Sequence, residues 1–231
     1  MSVRISIVEP SFKRSQMAVD ALKEWVNHAD KPEEIEWIVS LDSIDPTVPD
    51  YQTKFSQLAE VLKVERFEIS VGDSINCNQA MNRGARLTNP AAELLIGVSD
   101  DQGCFSHWDT ELFKVLEGVD NFKEPKLIWA NDGYWEFGYI MTTYFANRAL
   151  YNRMGFMICE EYPSMFGDND LMETGRALGA VVLAPHLTFL HRHYSKGYHP
   201  NDETYARRNN PTEFNKGQEI FLRRKSRNFD L

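Results

Sequence analysis

The stretch LLIGVSDDQG, Leu94 to Gly103, decides the fold of this chain. Five apolar or small residues and a serine lead into two adjacent aspartates, which a polar residue and a glycine follow. A short apolar run of this kind is typical of a strand buried in a sheet. Neighbouring carboxylates, however, repel each other and resist removal from water. The pair Asp100 and Asp101 therefore predicts one of three surroundings: a solvated loop or turn, a helix cap, or a bound cation.

The first half of the chain around this stretch alternates between strand and helix patterns. Strands are predicted at 3–10, 35–42, 64–70 and 93–99, where apolar and β-branched residues cluster. Helices are predicted at 15–28, 51–62, 77–84 and 107–116, where apolar residues recur at helical spacing. This alternation predicts an α/β fold with a mostly parallel central sheet flanked by helices.

The second half breaks this rhythm. Segments 126–133 and 134–145 are strand-like and rich in aromatic residues, and further strands are predicted at 180–185 and 187–193, with a short helix at 168–178 between them. No linker rich in Pro, Gly or Ser divides the chain, so we expect a mixed extension of the same sheet. Residues 196–231 turn polar and are predicted to form a mobile or draping tail.

Composition excludes several classes of protein. The chain has 231 residues and a net charge of −9, which does not suit a nucleic-acid surface. An acidic protein that binds an anionic substrate needs a local cation to do so. The three cysteines are widely spaced and form no CxxC motif, which favours a reducing compartment over a disulfide framework. With no signal-peptide pattern and no transmembrane stretch, the sequence predicts a soluble cytoplasmic protein.

The predicted sheet also indicates where a ligand would bind. In open α/β sheets, ligands bind beyond the carboxyl ends of the strands, where the strand order switches. The polar residues at those ends are Pro10 to Arg14, Asp42 to Asp45, and Ser99 to Gln102. Carboxylate oxygens suit Mg²⁺ or Mn²⁺, whose remaining positions are filled by water or substrate phosphate. A cation bound there would offset the repulsion between the carboxylates of Asp100 and Asp101.

An ordered set of short motifs resembles the family 2-type glycosyltransferases of the GT-A fold. The motifs, which fall within residues 1–195, are IVEPSFKR, WIVSLD, NQAMNRGA, LLIGVSDD, GDNDLMETGRALG and LHRH. The chain departs from the family pattern at two places. Ser99 stands where many members carry the first aspartate of the metal motif, and Asp42 is followed by Asp45 rather than by an adjacent aspartate.

The resemblance implies a Rossmann-like GT-A catalytic domain over residues 1–195, with a nucleotide-binding half at 1–105 and an acceptor-binding half at 106–195. It also implies Mn²⁺ or Mg²⁺, held by Asp101 and His191, with His193 as the alternative ligand. The two histidines alternate on a predicted strand and are expected to face opposite sides of it. The donor would be bound by Pro10, Ser11, Arg14, Asp42, Asn82, Ser99 and Asp100.

Two aspartates of the motif GDNDLME are candidates for a general base. Asp170 and Glu173 have the spacing of a capping box, which predicts Asp170 as the N-cap of the helix. Asp168 then lies in the preceding loop without that structural role. The resemblance places the catalytic base in this acidic cluster, with Asp168 preferred and Asp170 as the alternative. Such a carboxylate takes a proton from an attacking hydroxyl.

These expectations combine into one function with two alternatives. The sequence predicts a metal-dependent glycosyltransferase that moves a sugar from a nucleoside-diphosphate sugar to a carbohydrate or other hydroxyl acceptor, with inversion. A nucleotidyltransferase of similar fold is one alternative, although such enzymes normally carry a glycine-rich basic loop where this chain has PSFKR. A catalytically degenerate nucleotide- or carbohydrate-binding protein is the other, because Ser99 replaces a carboxylate.

Overall fold

A seven-stranded mixed sheet forms the centre of the computed structural model, which describes residues 2–59, 61–62, 64–74, 76–119, 122–208 and 211–231. The strands are β1 (Ile5–Ser11), β2 (Ile35–Asp42), β3 (Arg66–Gly72), β4 (Leu94–Gly97), β5 (Leu127–Asn131), β6 (Tyr144–Asn147) and β7 (Val181–Thr188). The helices are α1 (Ser15–His28), α2 (Val48–Ala59), α3 (Cys77–Ala85), α4 (Trp108–Glu117), α5 (Arg148–Met154), α6 (Gly167–Ala177), α7 (Glu203–Arg208) and α8 (Pro211–Ser226).

The strand order indicates the edge of the sheet at which a ligand would bind. Across the sheet the strands run β3-β2-β1-β4-β6-β5-β7. Strands β1, β2, β3 and β4 are mutually parallel, whereas β6 is antiparallel to both of its neighbours and β7 is parallel to β5. The chain leaves β1 toward β2 on one side and returns as β4 on the other. The carboxyl ends of β1 and β4 therefore flank a topological switch point, where such sheets bind ligands.

Helices cover both faces of the sheet and bury two apolar cores. On one face α1, α2 and α4 pack around the fully buried Trp25, Trp37 and Trp108. Trp108 donates to the Trp25 carbonyl at 2.8 Å, so it anchors α4 against α1. On the other face α3 lies so close to β1 that a Cβ at Gly84 would meet Val8 Cγ1 at 2.5 Å, which requires glycine.

The predicted α/β architecture with a mixed C-terminal extension is confirmed, and its first half agrees closely with the sequence pattern. Helix α1 and strand β2 have the predicted bounds, and β1 and α4 lie within two residues of theirs. Helix α2 begins three residues earlier than predicted and ends at Ala59, while residue 60 lies outside the described part of the chain. Period-2 and period-3.6 patterns succeed here because each element buries one continuous face.

Three predictions in the second half are wrong. Residues 134–143 form a loop rather than a strand, and only Tyr144–Asn147 pairs, because the turn at Gly133 and the left-handed Gly138 take the chain off the sheet. Residues 189–193 leave the sheet after β7, and the His191 and His193 rings lie 5.4 Å apart instead of on opposite faces. Asp170 is not the N-cap of α6: the N-cap is Phe166, whose backbone is left-handed, and Asp170 lies within the first turn of the helix.

The C-terminal segment contains two helices that the sequence pattern does not predict. Helix α7 lies near the carboxyl ends of β1 and β4, and α8 packs against α6. Side chains from both helices reach buried acidic groups of the domain, as described below. Within the described ranges, none of the helices is long and apolar enough to cross a membrane.

Candidate active site

Polar side chains from β1, from the loop after β4 and from the C-terminal segment converge at the switch point. Asp100 is buried and accepts hydrogen bonds from Ser11 Oγ at 2.7 Å and from Arg14 Nη1 at 3.0 Å. Tyr51 OH accepts from the Arg14 backbone N–H at 2.9 Å and lies 2.8 Å from Ser11 Oγ, which fixes both partners. The structure thus brings Ser11, Arg14 and Asp100 together as predicted, with a guanidinium as the countercharge of Asp100.

Asp101 lies beside this group with a separate set of partners. Its Oδ1 accepts from Ser99 Oγ, and its Oδ2 accepts from Tyr205 OH at 2.6 Å and lies 3.3 Å from His191 Nε2. Burial alone would raise the pKa of Asp101, but the bonds and charge of His191, with the Ser99 and Tyr205 hydroxyls, hold that pKa far below its ordinary value. Asp101 is therefore a preorganised anion at neutral pH.

A short stretch of backbone pairing places His191 opposite Asp101. The backbone of His191 forms an isolated antiparallel bridge with Gln102, and the Arg192 N–H donates to the Asp101 carbonyl at 2.8 Å. The His191 N–H in turn donates to the Asp132 carbonyl at 2.8 Å. The predicted pair Asp101 and His191 is thus brought together by the irregular segment after β7.

The pair fits a single divalent cation. In octahedral coordination at about 2.1 Å, adjacent ligand atoms are separated by about 3 Å. The separation of 3.3 Å between Asp101 Oδ2 and His191 Nε2 is close to that value. A mixed carboxylate and imidazole set suits Mn²⁺, and the remaining positions would come from water and donor phosphate. Asp100 is already held by Arg14 and Ser11.

The other predicted donor-binding residues fall into two groups. Pro10 and Asp42 are buried at the carboxyl ends of β1 and β2, as expected, and Asp42 lies near enough to Arg83 for its charge to act on that guanidinium. Asn82 is different, because its amide donates to the Ile158 carbonyl at 2.6 Å and accepts from the Met157 N–H at 2.7 Å. Asn82 therefore links α3 to residues 157–158 through these hydrogen bonds.

The two candidate bases have different environments. Asp168 lies in the first turn of α6, partly buried, and accepts from the Asn169 N–H at 2.9 Å. Burial raises its pKa, against weaker opposing effects that include the positive charge of His191. Asp170 is buried away from solvent, where it accepts from Tyr162 OH and Arg224 Nε, both at 2.7 Å. Asp170 is thus engaged by structural partners, whereas Asp168 lies within electrostatic range of His191.

A segment that the sequence pattern does not single out covers the site. We call residues 199–205 the C-terminal strap. Asp202 of the strap accepts two hydrogen bonds from the Arg14 guanidinium, at 2.6 and 2.7 Å, and that guanidinium lies 4.1 Å from the centre of the Tyr205 ring. Tyr205 OH reaches Asp101. The strap thus contacts the predicted donor-binding and metal-binding groups at once. Its polar composition, without periodicity, predicts only a mobile or draping tail and does not indicate which groups that tail contacts.

A second cluster of possible metal ligands lies outside this site. Among the described residues, Glu24, His28 and Cys104 form a group of three whose ligand atoms lie within 4.8 Å of one another. Glu24 is already engaged by the Arg192 guanidinium through two bonds of 2.6 and 2.7 Å. This cation neutralises the carboxylate and opposes a further positive ion there. Within this cluster, Glu24 forms a structural ion pair with Arg192.

Comparison with known proteins identifies the fold. The chain is similar to Staphylococcus aureus TarS with a TM-score of 0.61 and 12% identity, over 81% of this chain and 36% of that chain. It is similar to the mannosyltransferase PcManGT from Pyrobaculum calidifontis, in complex with GDP-Man and Mn²⁺, with a TM-score of 0.61 and 12% identity, over 98% of this chain and 76% of that chain. The fold is therefore that of the GT-A glycosyltransferases.

A third similar structure is a mutant of Drosophila β1,4-galactosyltransferase 7 in complex with manganese, UDP-Gal and xylobiose. The TM-score is 0.55 at 9% identity, over 90% of this chain and 80% of that chain. A TarS fragment, 1–349, in complex with UDP-GlcNAc also matches, and the chain covers 57% of it. This chain thus spans less than two thirds of the TarS chains that it matches. No family model and no curated protein sequence matches.

Proposed function

We propose that this chain is a metal-dependent glycosyltransferase that moves a sugar from a nucleoside-diphosphate sugar to a hydroxyl acceptor, with inversion. The observation that carries the proposal is the pair Asp101 and His191, 3.3 Å apart at the switch point of a GT-A sheet. Proteins of similar fold are described in complex with UDP-GlcNAc, with GDP-Man and Mn²⁺, and with manganese and UDP-Gal. The three free cysteines support a reducing, cytoplasmic location.

Each residue of the site has a defined part in this proposal. Asp101 and His191 would hold Mn²⁺ or Mg²⁺, and Ser99 fixes the orientation of the Asp101 carboxylate. When bound, the ion supplies positive charge that stabilises the diphosphate as a leaving group. Arg14 offers a buried guanidinium, which the donor reaches once Asp202 releases it.

Asp168 would act on the acceptor. As the acceptor oxygen forms a bond to the anomeric carbon of the donor sugar, the proton of the acceptor hydroxyl passes to the Asp168 carboxylate. The bond between that carbon and the diphosphate oxygen breaks, and the electron pair leaves with the diphosphate. Burial raises the pKa of Asp168, which strengthens it as a base. A single base on the face opposite the leaving group produces inversion.

Isothermal titration with UDP and GDP, with and without Mn²⁺, tests the binding part of the proposal. We expect one of the nucleotides to bind only when Mn²⁺ is present. Asp101→Asn and His191→Ala should each abolish this Mn²⁺-dependent binding. Binding without Mn²⁺, or equal binding by the variants, would contradict the metal site.

Turnover of nucleotide sugars tests the catalytic part. We expect Asp168→Asn to lower turnover by roughly 10²- to 10⁴-fold, the usual contribution of a general base, with nucleotide affinity unchanged. Glu173→Gln on the same helix is the matched control, since Glu173 pairs with the exposed Arg176. Nucleotide binding by the wild type without any turnover would favour the degenerate binding protein. Transfer of the nucleotidyl group with release of the sugar 1-phosphate would favour a nucleotidyltransferase.

A further inference from the structure

The loop between β5 and β6 presents aromatic side chains to solvent. Trp135 is 44% exposed and Tyr139 is 65% exposed, and their ring centroids lie 4.9 Å apart at an interplanar angle of 32°. Tyr134 meets Trp135 edge-on at 4.9 Å. Large aromatic rings grouped on a surface mark binding sites more often than chance. We call Tyr134, Trp135 and Tyr139 the aromatic platform.

A buried carboxylate holds this platform in place. Asp132 Oδ1 accepts from the N–H groups of Tyr134 and Trp135, both at 2.9 Å, and its Oδ2 accepts from Thr142 Oγ1 at 2.7 Å. The left-handed Gly133 and Gly138 permit the turns at the two ends of the exposed segment. The rings are therefore preorganised before any ligand arrives, which lowers the entropy cost of binding.

The platform is continuous with the candidate active site. The Tyr134 ring lies 5.6 Å from the His191 ring and 5.1 Å from the His193 ring. Asp132, which holds the loop, also accepts from the His191 backbone N–H at 2.8 Å through its own carbonyl. Tyr134 thus connects Trp135 to the predicted metal ligand His191, which lies within electrostatic range of Asp168.

We propose that the aromatic platform is the acceptor subsite and that the acceptor is a saccharide whose sugar ring stacks on Trp135 and Tyr139. A sugar ring has an apolar face of C–H groups and a rim of hydroxyls, which matches aromatic faces bordered by polar groups. Glu136, which lies between the two residues in the chain, and Lys196, 5.3 Å from the Tyr134 centroid, supply polar groups at the border. An acyl chain would have to desolvate these charges, which disfavours a lipid tail on this surface.

This inference rests on the proposed function for the role of the bound sugar as acceptor, but the binding itself is testable separately. Saturation-transfer NMR with xylobiose, cellobiose and diacetylchitobiose is the direct measurement. We expect saturation of the ring C–H protons of at least one disaccharide, and an affinity about tenfold weaker in Trp135→Ala, equivalent to about 1.4 kcal/mol. Trp135→Phe should retain most of the affinity because it keeps an aromatic face.

Controls separate the platform from general effects. Leu222→Ala, a similarly exposed apolar residue on α8, should leave saccharide affinity unchanged. Trp135→Ala should also leave the affinity for nucleotide with Mn²⁺ unchanged, measured by calorimetry. The exposed position of Trp135 keeps the variant folded, which its circular dichroism spectrum would verify.

Three results would overturn the proposal: no saturation transfer to any of the disaccharides, full affinity in Trp135→Ala, or Trp135-dependent binding of dodecylphosphocholine micelles in place of the disaccharides. These failures are distinguishable from failure of the proposed function. Nucleotide binding with Mn²⁺ but no disaccharide binding would overturn the platform alone. Disaccharide binding through Trp135 without nucleotide binding would support the platform as a saccharide site and contradict the transferase.

Discussion

Two neighbouring aspartates, Asp100 and Asp101, are buried at the switch point because each has its own cationic or hydrogen-bonding partners. Arg14 neutralises Asp100, while His191 and two hydroxyls stabilise Asp101. Of the three surroundings that the sequence allows, the turn is found, because the Gln102 N–H donates to the Ser99 carbonyl at 2.9 Å. This turn is buried rather than solvated, and the pair caps no helix. The buried pair is divided between two tasks: Asp100 organises the loop after β1, and Asp101 faces the predicted ion.

The pKa of Asp168 gives a prediction for the pH dependence of turnover. A general base acts when ionised, so the rate is low below its pKa and rises as the pH increases through that value. Because burial raises the pKa, we expect the acid limb of the kcat/KM profile above the ordinary carboxyl value of about 3.9. The measurement is kcat/KM against pH for the wild type and for Asp168→Glu, in which the limb should move.

A stability measurement serves as the control for this prediction. The folded state binds the Asp168 proton more tightly than the unfolded state does, so the stability conferred by this group falls as the pH rises between the pKa of the unfolded state and that of the folded state. Above both values the ionised carboxylate destabilises the fold, and a neutral amide at this position removes that penalty. Asp168→Asn should therefore be at least as stable as the wild type to urea at neutral pH. An acid limb at the ordinary carboxyl value, or a destabilised variant, would contradict the assignment.

At the scale of elements, the C-terminal segment completes the site and the fold. The strap contacts the loop after β1 at several points: besides the bonds of Asp202 and Tyr205, Lys13 Nζ donates to Glu203 at 2.9 Å and Thr204 Oγ1 donates to the Phe12 carbonyl at 3.2 Å. Helix α8 is joined to α6 by the buried ion pair of Arg224 and Asp170. The strap is therefore held against the site, and α8 supports the helix that carries Asp168.

In the proposed metal site, the Tyr205 hydroxyl would compete with the ion for Asp101 Oδ2. In Tyr205→Phe the ring beneath Arg14 remains but the 2.6 Å bond to the carboxylate is lost. We expect tighter binding of Mn²⁺, by roughly tenfold or more, since a hydrogen bond to a charged group contributes about 1.5–3 kcal/mol. Calorimetry with Mn²⁺ and nucleotide measures this, with the exposed Tyr198→Phe as the control. Weaker Mn²⁺ binding would mean that the hydroxyl supports the ligand instead of competing.

The ion pair of Arg224 and Asp170 predicts a large effect on stability. Both side chains are buried, so Arg224→Met leaves an uncompensated carboxylate in the interior. We expect a loss of about 3–5 kcal/mol in the free energy of unfolding by urea. The neighbouring Arg223 is exposed and pairs with Glu161, so Arg223→Met should cost no more than about 1 kcal/mol. Equal effects of the two substitutions would argue against a structural role for Asp170.

At the scale of the whole molecule, one mixed sheet joins the parallel strands of the first half to the segments that carry His191 and Asp168. Strand β6 runs antiparallel between β4 and β5, and β7 follows at the edge. The chain after β7 then returns across the sheet to pair with the loop after β4. A ligand bound at the switch point would therefore contact segments from both ends of the described chain, and its binding should stabilise the entire fold.

Thermal unfolding with and without ligand measures this coupling. At about one hundred times its Kd, a ligand that binds only the folded state adds about 2.7 kcal/mol. For a chain of this size that corresponds to a rise in Tm of about 5–10 °C. We expect this rise with Mn²⁺ and nucleotide together, its loss on addition of EDTA, and no rise in His191→Ala. An unchanged shift in EDTA would show that the nucleotide binds without metal.

By itself the sequence determined the alternation of strands and helices in the first half and the edge of the sheet at which polar residues gather. Through family resemblance it also predicted that Asp101 pairs with His191. The first two of these features depend on local periodicity, which a linear pattern records. Only the tertiary structure decided that Arg14 neutralises Asp100, that Asp170 is held by Arg224, and that Tyr205 covers Asp101. These contacts join segments far apart in the chain, and nothing in local hydrophobicity fixes which distant side chain meets a buried charge.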